Sequence, residues 1–495
     1  MPPPPAPLPA DGEPLPRAQV RTACAVVGCL SLVVVAALAA LVYIVLTVLG
    51  ELTPQPAGTE KDRKEKKLTA RPDPTGPTKL KTERDTVALD APFDAVGRAA
   101  NGRFLLLKVR DRLAVFDPVE AKVVKAFPLG EKDALFAGGA GKLFVYRPKA
   151  KELDQFDLLT GEKDETAKKP DAIGGVDHLV AGTAADEPVL AVNAGDRRSS
   201  EVAVIDPTPA AWKFYRVAPW VLTDARLLAR TSADGRTVGV VGRPPGDRES
   251  KILRFTPPGS FNASLPRGTD PLGHLAPSPD GRYVYSARGV FDRDGKPALR
   301  PDGGYFYTLP AAHGGDLFLS VGVADDGKFE GPVKLHLAGE RTAAAAFAGV
   351  RLPTGLDASD ASEVPMDQRI HLWPAAGLLA VLPTSNAAID MYKVDVPALL
   401  KNSGKDYLMF GSEPPTSATR GETLTYRPTV WSSAGSVTFD VTEPAGAVVK
   451  DSQLVWPVPQ SGDEREVTVK LLAKAGNRPA EQSFRVLLVD PSQKP

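Results

Sequence analysis

Apolar positions along this chain fall into three regimes. The first is one continuous run, Ala23–Leu49 (ACAVVGCLSLVVVAALAALVYIVLTVL), with no charge and no Pro. As a helix it covers roughly 40 Å, more than the roughly 30 Å of bilayer hydrocarbon, so it predicts one transmembrane helix over residues 23–49. An ordinary signal-peptide core is about 7–15 residues, and the one A-x-A pattern, Ala37-Leu38-Ala39, lies inside the run rather than after it.

The second regime is a series of short apolar runs between turns. They come in pairs: Arg103–Val109 with Arg112–Asp117, Lys142–Tyr146 with Glu152–Asp157, Pro188–Asn193 with Glu201–Asp206, and Arg236–Gly242 with Lys251–Phe255. Three more follow: Arg282–Ala287 with Gly289–Asp292, Asp316–Val321 with Val333–Leu337, and Gly377–Leu382 with Ala388–Val394. A third strand often follows a pair, as at Lys122–Phe127 and Trp212–Val217. Asn101-Gly102, Asp234-Gly235 and Asp280-Gly281 supply the positive-φ positions of tight hairpins. A period near 40–45 with about four strands per unit predicts a β-propeller of about seven blades over residues 86–411. Its last blade lacks an outer strand. Tyr407–Gly411 (YLMFG) is the favoured candidate, being longer and more apolar than Thr86–Leu89 (TVAL) returning from the other end.

The third regime is a largely alternating pattern. Thr423–Val430, Ser436–Val441, Gln453–Trp456, Glu466–Leu472 and Gln482–Val489 alternate apolar and polar positions, as half-buried strands do. They predict a separate small β-sandwich over residues 412–491. The fold class is therefore all-β behind a single transmembrane helix. Residues 1–22, beginning MPPPPAPLPADGEPLP, form a disordered tail, and residues 50–85, with KDRKEKK at Lys61–Lys67, a charged Pro-rich linker.

The turns Ser232-Ala233-Asp234-Gly235-Arg236 and Ser278-Pro279-Asp280-Gly281-Arg282, with strands ending in Asp at Asp117 and Asp206, resemble the repeats of bacterial WD40-like and YVTN-type propellers. That resemblance implies the fold and says little about activity. No Trp-Asp pair occurs in the chain, a departure from the best-defined WD40 repeats. Pro414-Pro415, Glu443-Pro444-Ala445-Gly446 and Leu454-Val455-Trp456-Pro457 resemble cadherin-like, immunoglobulin-type modules of envelope proteins. The acidic linker motifs of calcium-binding cadherins are missing, so no calcium is implied.

Charge changes the picture by exclusion. Sixty basic and sixty acidic residues balance to a formal net charge of zero, which removes an electrostatic case for nucleic-acid binding. The two cysteines, Cys24 and Cys29, both lie in the apolar run, so the rest of the chain has no disulfide, Cys–metal site or thiol nucleophile.

Candidate chemistry is sparse. Gly138-Gly139-Ala140-Gly141-Lys142 has Phe136 where a phosphate loop needs Gly and Leu143 where it needs Ser or Thr. Asp292-Arg293-Asp294-Gly295 starts like a calcium loop and lacks the later acidic ligand, so it reads as a turn. No G-x-S-x-G elbow occurs. The histidines, His178, His274, His313, His336 and His371, show no H-x-H or H-x-x-x-H spacing. His313, beside Gly314-Gly315-Asp316, is the one whose position in a channel merits inspection. Trp212, Trp220, Trp373, Trp431 and Trp456 read as packing anchors. No catalytic, cofactor-binding or metal-ligating residue is assigned, and no cofactor.

The resulting expectation is a single-pass membrane protein, a non-enzymatic interaction or scaffolding unit of the cell envelope, with a protein or envelope polymer as partner. The alternative is an envelope enzyme with a site in the propeller channel, such as a lyase or a quinoprotein-like dehydrogenase. The bulk of the chain is expected outside the cytoplasm. The lysines after the run argue the other way, but the first ten residues beyond it carry no positive charge and large domains translocate regardless.

Overall fold

The computed structural model describes residues 71–495 except 75, 172–174, 194–200, 206–211, 216–225, 244–249, 257–259, 265–272, 300–304, 357–363 and 492–495. The expected tail, the run at 23–49 and most of the linker lie outside the described residues. Among the described residues, no helix is long and apolar enough to cross a membrane.

Strands dominate, and most of them belong to four-stranded antiparallel sheets that follow one another along the chain. The first takes Ala95–Ala99, Phe104–Val109, Arg112–Asp117 and Lys122–Pro128 in that order. Five more repeat this sequential order, beginning at Leu135–Gly138, His178–Ala181, Arg226–Thr231, Ala276–Pro277 and Tyr305–Pro310. Another holds Ile370–Trp373, Leu378–Val381 and Ala388–Lys393. The expected strand pairs are the middle strands of these sheets, mostly within one or two residues of their expected bounds.

Burial explains the pattern. A middle strand is covered on both faces by neighbouring sheets, so Phe104–Val109 is nearly continuous in apolar side chains and buried almost throughout. The fourth strand of each sheet lies at the rim, so Lys122–Pro128 and Lys163–Lys168 are largely exposed and rich in Lys. Each first strand touches the first strand of the next sheet over most of the series. One apolar cluster joins Leu309 and Leu319 to Ile370 and Leu372. Another joins Leu105 and Leu107 to Trp373, Leu378 and Ala380, bringing the last sheet against the first. Consecutive sheets packed face to face, with the last returning to the first, make a β-propeller.

The strand that completes the last sheet is Arg84–Ala88, paired antiparallel with Ala388–Lys393 from Arg84↔Tyr392 to Ala88↔Ala388. This corrects the expectation that Tyr407–Gly411 would do so. Leu408–Phe410 pairs instead with Val430–Ser432. The reason is burial: the rim strand is mostly exposed, which suits the polar RDTVA, whereas Tyr407, Leu408 and Met409 are all buried where they lie. Tyr407 and Met409 join the cluster of the last two sheets, while Phe410 packs against the C-terminal core, so this strand is shared by both.

The closing strand is held by side chains as well as by its ladder. The Thr86 hydroxyl donates to Asp390 Oδ1 at 2.6 Å, and Arg84 Nη2 lies 3.5 Å from Asp390 Oδ2. Asp390→Ala is expected to cost about 1 kcal/mol, the usual worth of such a bond. Thr86→Val should cost a similar amount, and the pair less than their sum, because both remove one interaction. Urea midpoints of the four chains check this; full additivity would mean the strand is not anchored there.

Beyond the short helix Val396–Asn402, the C-terminal residues form two further sheets. One orders Ser417–Thr419, Arg478–Val489, Glu466–Ala475 and Thr438–Glu443; the other orders Thr423–Tyr426, Gln453–Pro457 and Val448–Lys450. Between them lie Tyr426, Leu454, Trp456, Val469, Leu471 and Val486, the inward members of the alternating runs.

Residues 71–73 run between this unit and the propeller. Arg71, whose side chain is 2% exposed, pairs with Glu466 and lies 3.7 Å from Asp186. The Pro72 carbonyl accepts from the Thr416 hydroxyl at 3.1 Å, and the Asp73 carbonyl accepts from Arg103 Nη1 at 2.8 Å.

Candidate functional site: the propeller channel

The first strands meet around a cavity of about 300 Å³, lined by residues from each of the propeller sheets described above. Space near the axis is scarce, so these strands are short and built from small residues. A Cβ on Gly138 would collide with the Arg98 carbonyl oxygen and Ala99 Cβ, and one on Gly97 would meet the Phe136 ring at 2.8 Å. Ala95, Ala137, Ala181 and Ala229 line the cavity for the same reason.

Into this small-residue wall project a few charged side chains. Arg98 stands on Ala95–Ala99 and Arg230 on Arg226–Thr231. Asp367 and Gln368 sit on a 3-10 turn, Met366–Gln368, just before Ile370–Trp373, which carries His371. The turn is fixed from behind by buried Arg369, whose Nε donates to the Val364 carbonyl at 2.9 Å. Its Nη1 donates to the Pro383 carbonyl and Asn386 Oδ1, both at 2.9 Å. Gln368 Nε2 donates to the Val96 carbonyl at 2.6 Å, tying the turn to the first sheet.

The charged groups engage one another. Arg230 Nε donates to Asp367 Oδ2 at 2.7 Å, with the carboxylate side chain 1% exposed. Arg98 Nη2 lies 3.0 Å from His371 Nδ1, and His371 Nε2 lies 2.8 Å from the Gln368 carbonyl. A guanidinium can only donate and a carbonyl can only accept. Those partners fix the imidazole as neutral, with its proton on Nε2. Burial, then the Arg98 charge, push the His371 pKa down to about 3, against the weaker opposing pull of the Gln368 carbonyl and Asp367. Arg98 is itself held down to about 10, chiefly by burial and also by Arg230, while Asp367 works to raise it; it remains a cation at pH 7.

His313 lies beside this cluster rather than in it. It follows Ala312, which lines the cavity, and its Nε2 is 3.0 Å from Glu413 Oε1 in the linker to the C-terminal unit. Burial, then Arg98, push its pKa down to about 3. His274 is stacked on Tyr307 with Nε2 2.8 Å from the Thr308 carbonyl, and His336 Nε2 is 2.8 Å from the Ser320 hydroxyl. His178 lines the cavity. The sequence singled out His313; the structure gives the central position to His371, together with Arg98, Arg230 and Asp367, which no local motif marks.

The other motifs resolve as turns. The backbone N–H groups of Gly141 and Lys142 donate to Asp186 Oδ1, so a carboxylate of the chain itself occupies that loop. Asp292 Oδ1 accepts from the Asp294 and Lys296 N–H groups, closing its turn internally. Among the described residues no cluster of three metal-ligating side chains occurs. Trp373 and Trp456 are buried anchors and Trp431 is half-buried; the side chains of Trp212 and Trp220 lie outside the described residues.

No family model matches this chain, and no curated protein matches its sequence. Similar solved structures include the β-propeller domain of Cps50 (Swd1) from Myceliophteria thermophila, at 12% identity and a TM-score of 0.41, covering 63% of this chain and 98% of that one. Hydrazine synthase from Kuenenia stuttgartiensis is similar at 13% identity and a TM-score of 0.40, covering 64% and 98%. Hsv2 from Kluyveromyces lactis is similar at 11% identity and a TM-score of 0.40, covering 59% and 89%.

Proposed function

We propose that this chain is a membrane-anchored, non-enzymatic interaction protein of the cell envelope. In this reading residues 23–49 are a single transmembrane helix and the bulk of the chain faces outside the cytoplasm. The propeller is seven-bladed, and residues 412–491 form an immunoglobulin-like sandwich that meets a protein or envelope polymer.

The observation that carries this reading is the join between the two folded units. Arg71 is buried between Asp186 of the propeller and Glu466 of the C-terminal unit. Breaking a buried pair leaves an uncompensated charge, so the join resists opening. A unit held this way presents a fixed surface instead of swinging on a tether. On that surface Val448 is 53% exposed, in the edge strand Val448–Lys450. An open sheet edge with an apolar side chain offers a place for another chain to pair.

The test is a photo-crosslinking amino acid at position 448 of the full, anchored chain in its own cells. Discrete light-dependent adducts are expected there, and fewer from the same group at Lys168 on a propeller rim. Equal or absent adducts at the two positions would count against a dedicated surface on the C-terminal unit.

The enzyme alternative draws on the convergence of Arg98, Arg230, Asp367 and His371 in the channel. Against it, both His371 nitrogens are engaged and Asp367 is paired with Arg230, so neither stands ready to move a proton.

A further inference from the structure

We propose that the propeller channel is a binding site for a small carboxylate with a compact apolar body, held by Arg98 and Arg230. This site goes beyond the interaction surface above and stands whether or not that surface has a partner.

Charge carries the argument. Among the described residues, Arg98, Arg230 and Lys108 line the cavity and face one lining carboxylate, Asp367. Lys108 Nζ donates to the Ala134 carbonyl at 3.3 Å and Arg230 hydrogen-bonds Asp367, so among the described residues Arg98 feels Asp367 only through space and hydrogen-bonds no carboxylate. Among the described residues its one hydrogen bond goes to neutral His371. Arg230 Nη2 is buried and lacks a hydrogen-bond partner. A buried donor without an acceptor is costly, and a buried cation that shares its one carboxylate with a second cation is under-compensated. An anion between the two guanidinium groups would answer both at once. Two donor edges on neighbouring arginines match the two oxygens of a carboxylate.

The apolar part of the wall sets the rest of the ligand. Val96, Phe136, Leu179, Leu228, Pro277 and Pro310 line the cavity, with Thr183, Thr231 and His178 as its other polar members. The apolar side chains have nothing to offer a polyol or a second charge but cover an apolar group well. Few polar groups on an apolar wall is the usual composition of a small-molecule site.

The test uses calorimetry on the full chain in detergent, with detergent alone as blank. Phenylacetate is the anionic probe, 2-phenylethanol the neutral probe of similar shape, and inorganic phosphate the anion without an apolar body. Phenylacetate is expected to bind one-to-one, at least tenfold more tightly than either of the others. Arg98→Gln should weaken it at least tenfold while leaving the Arg230–Asp367 pair intact. Asp367→Asn should tighten it several-fold, because it removes the carboxylate that competes for Arg230; a damaged fold does not bind more tightly. If 2-phenylethanol or phosphate binds as well as phenylacetate, or Arg98→Gln changes nothing, the carboxylate assignment falls. If none of the three binds, the channel is not a ligand site of this kind.

Discussion

Acidification from pH 7 to pH 5 is expected to destabilise the protein by several kcal/mol. The cause is histidines buried as neutral rings, His371 and His336 above all, because Glu413 Oε1 at 3.0 Å from His313 Nε2 offsets part of the push on the His313 ring. His371 and His313 are pushed down to about 3 and His336 to about 4, in each case chiefly by burial. Positive neighbours add to the effect: Arg98 acts on the first two, and Lys334 and Lys405 on the third. In the unfolded chain each ring titrates near its ordinary 6.5. Below that pH the unfolded state binds protons that the folded state refuses, so stability falls as pH drops. The contribution is complete above about 6.5 and is lost progressively down to about 3–4. Each ring costs at most about 1.4 kcal/mol per pH unit in that window. From pH 6.5 to 5 that limit is roughly 2 kcal/mol apiece and roughly 6 for all three, comparable with the whole stability of a typical domain.

Urea unfolding at closely spaced pH values measures the slope directly. His371→Gln should flatten it by roughly a third to a half, since glutamine keeps a donor for the Gln368 carbonyl and an acceptor for Arg98 but takes up no proton. A slope unchanged by that substitution, or by the corresponding change at His336, would show that these rings are not protonated on unfolding in this range.

What the sequence made legible, and what it did not, divides along the radius of the propeller. The middle strands of each sheet are buried on both faces, so they are long in apolar residues and easy to read, as Phe104–Val109 and Leu378–Val381 show. The innermost strands carry almost no such signal. Ala95–Ala99 is AVGRA, Leu135–Gly138 is LFAG and Ala276–Pro277 is two residues long. Crowding at the axis selects small side chains and short lengths, and those remove the alternation by which a strand is recognised. The candidate site lies on these strands, so Arg98 and Arg230 look in sequence like isolated arginines. Asp367 and His371 meet them only because the ring closes, across more than 130 residues from Arg230 to Asp367. His313 drew attention through its glycines, which mark a turn; Gly314 has φ of +67°. Apolar character is a misleading sign for the closing strand, Arg84–Ala88. At the rim of a sheet, polar character is the better sign, because that edge meets water.

Closure of the ring has a tryptophan at its seam, beside Phe93 and Phe116, and removing it is expected to cost several kcal/mol. Trp373 is fully buried in the cluster that joins the last sheet to the first, against residues such as Leu105, Leu107 and Ala380. Its indole N–H donates to the Gly102 carbonyl at 2.8 Å, in the turn after the first innermost strand. The seam is where the two ends of the propeller must find each other, and the contact is made late in sequence terms, between residues 271 positions apart. Trp373→Ala should lose about 3–5 kcal/mol, through lost burial and a cavity that rigid sheets on both sides cannot fill. Trp373→Phe keeps most of the apolar volume and should lose less, the larger part from leaving the Gly102 carbonyl without its donor. Because the Arg98–His371 contact spans the same two sheets, a loosened seam should also free that histidine to take up a proton. Trp373→Ala is therefore expected to shift His371 back towards 6.5, visible by NMR titration of the imidazole, whereas Trp373→Phe should leave it depressed. An alanine variant that keeps both its urea midpoint and a depressed His371 would place the weight of closure on the rim strand Arg84–Ala88 instead of on the tryptophan.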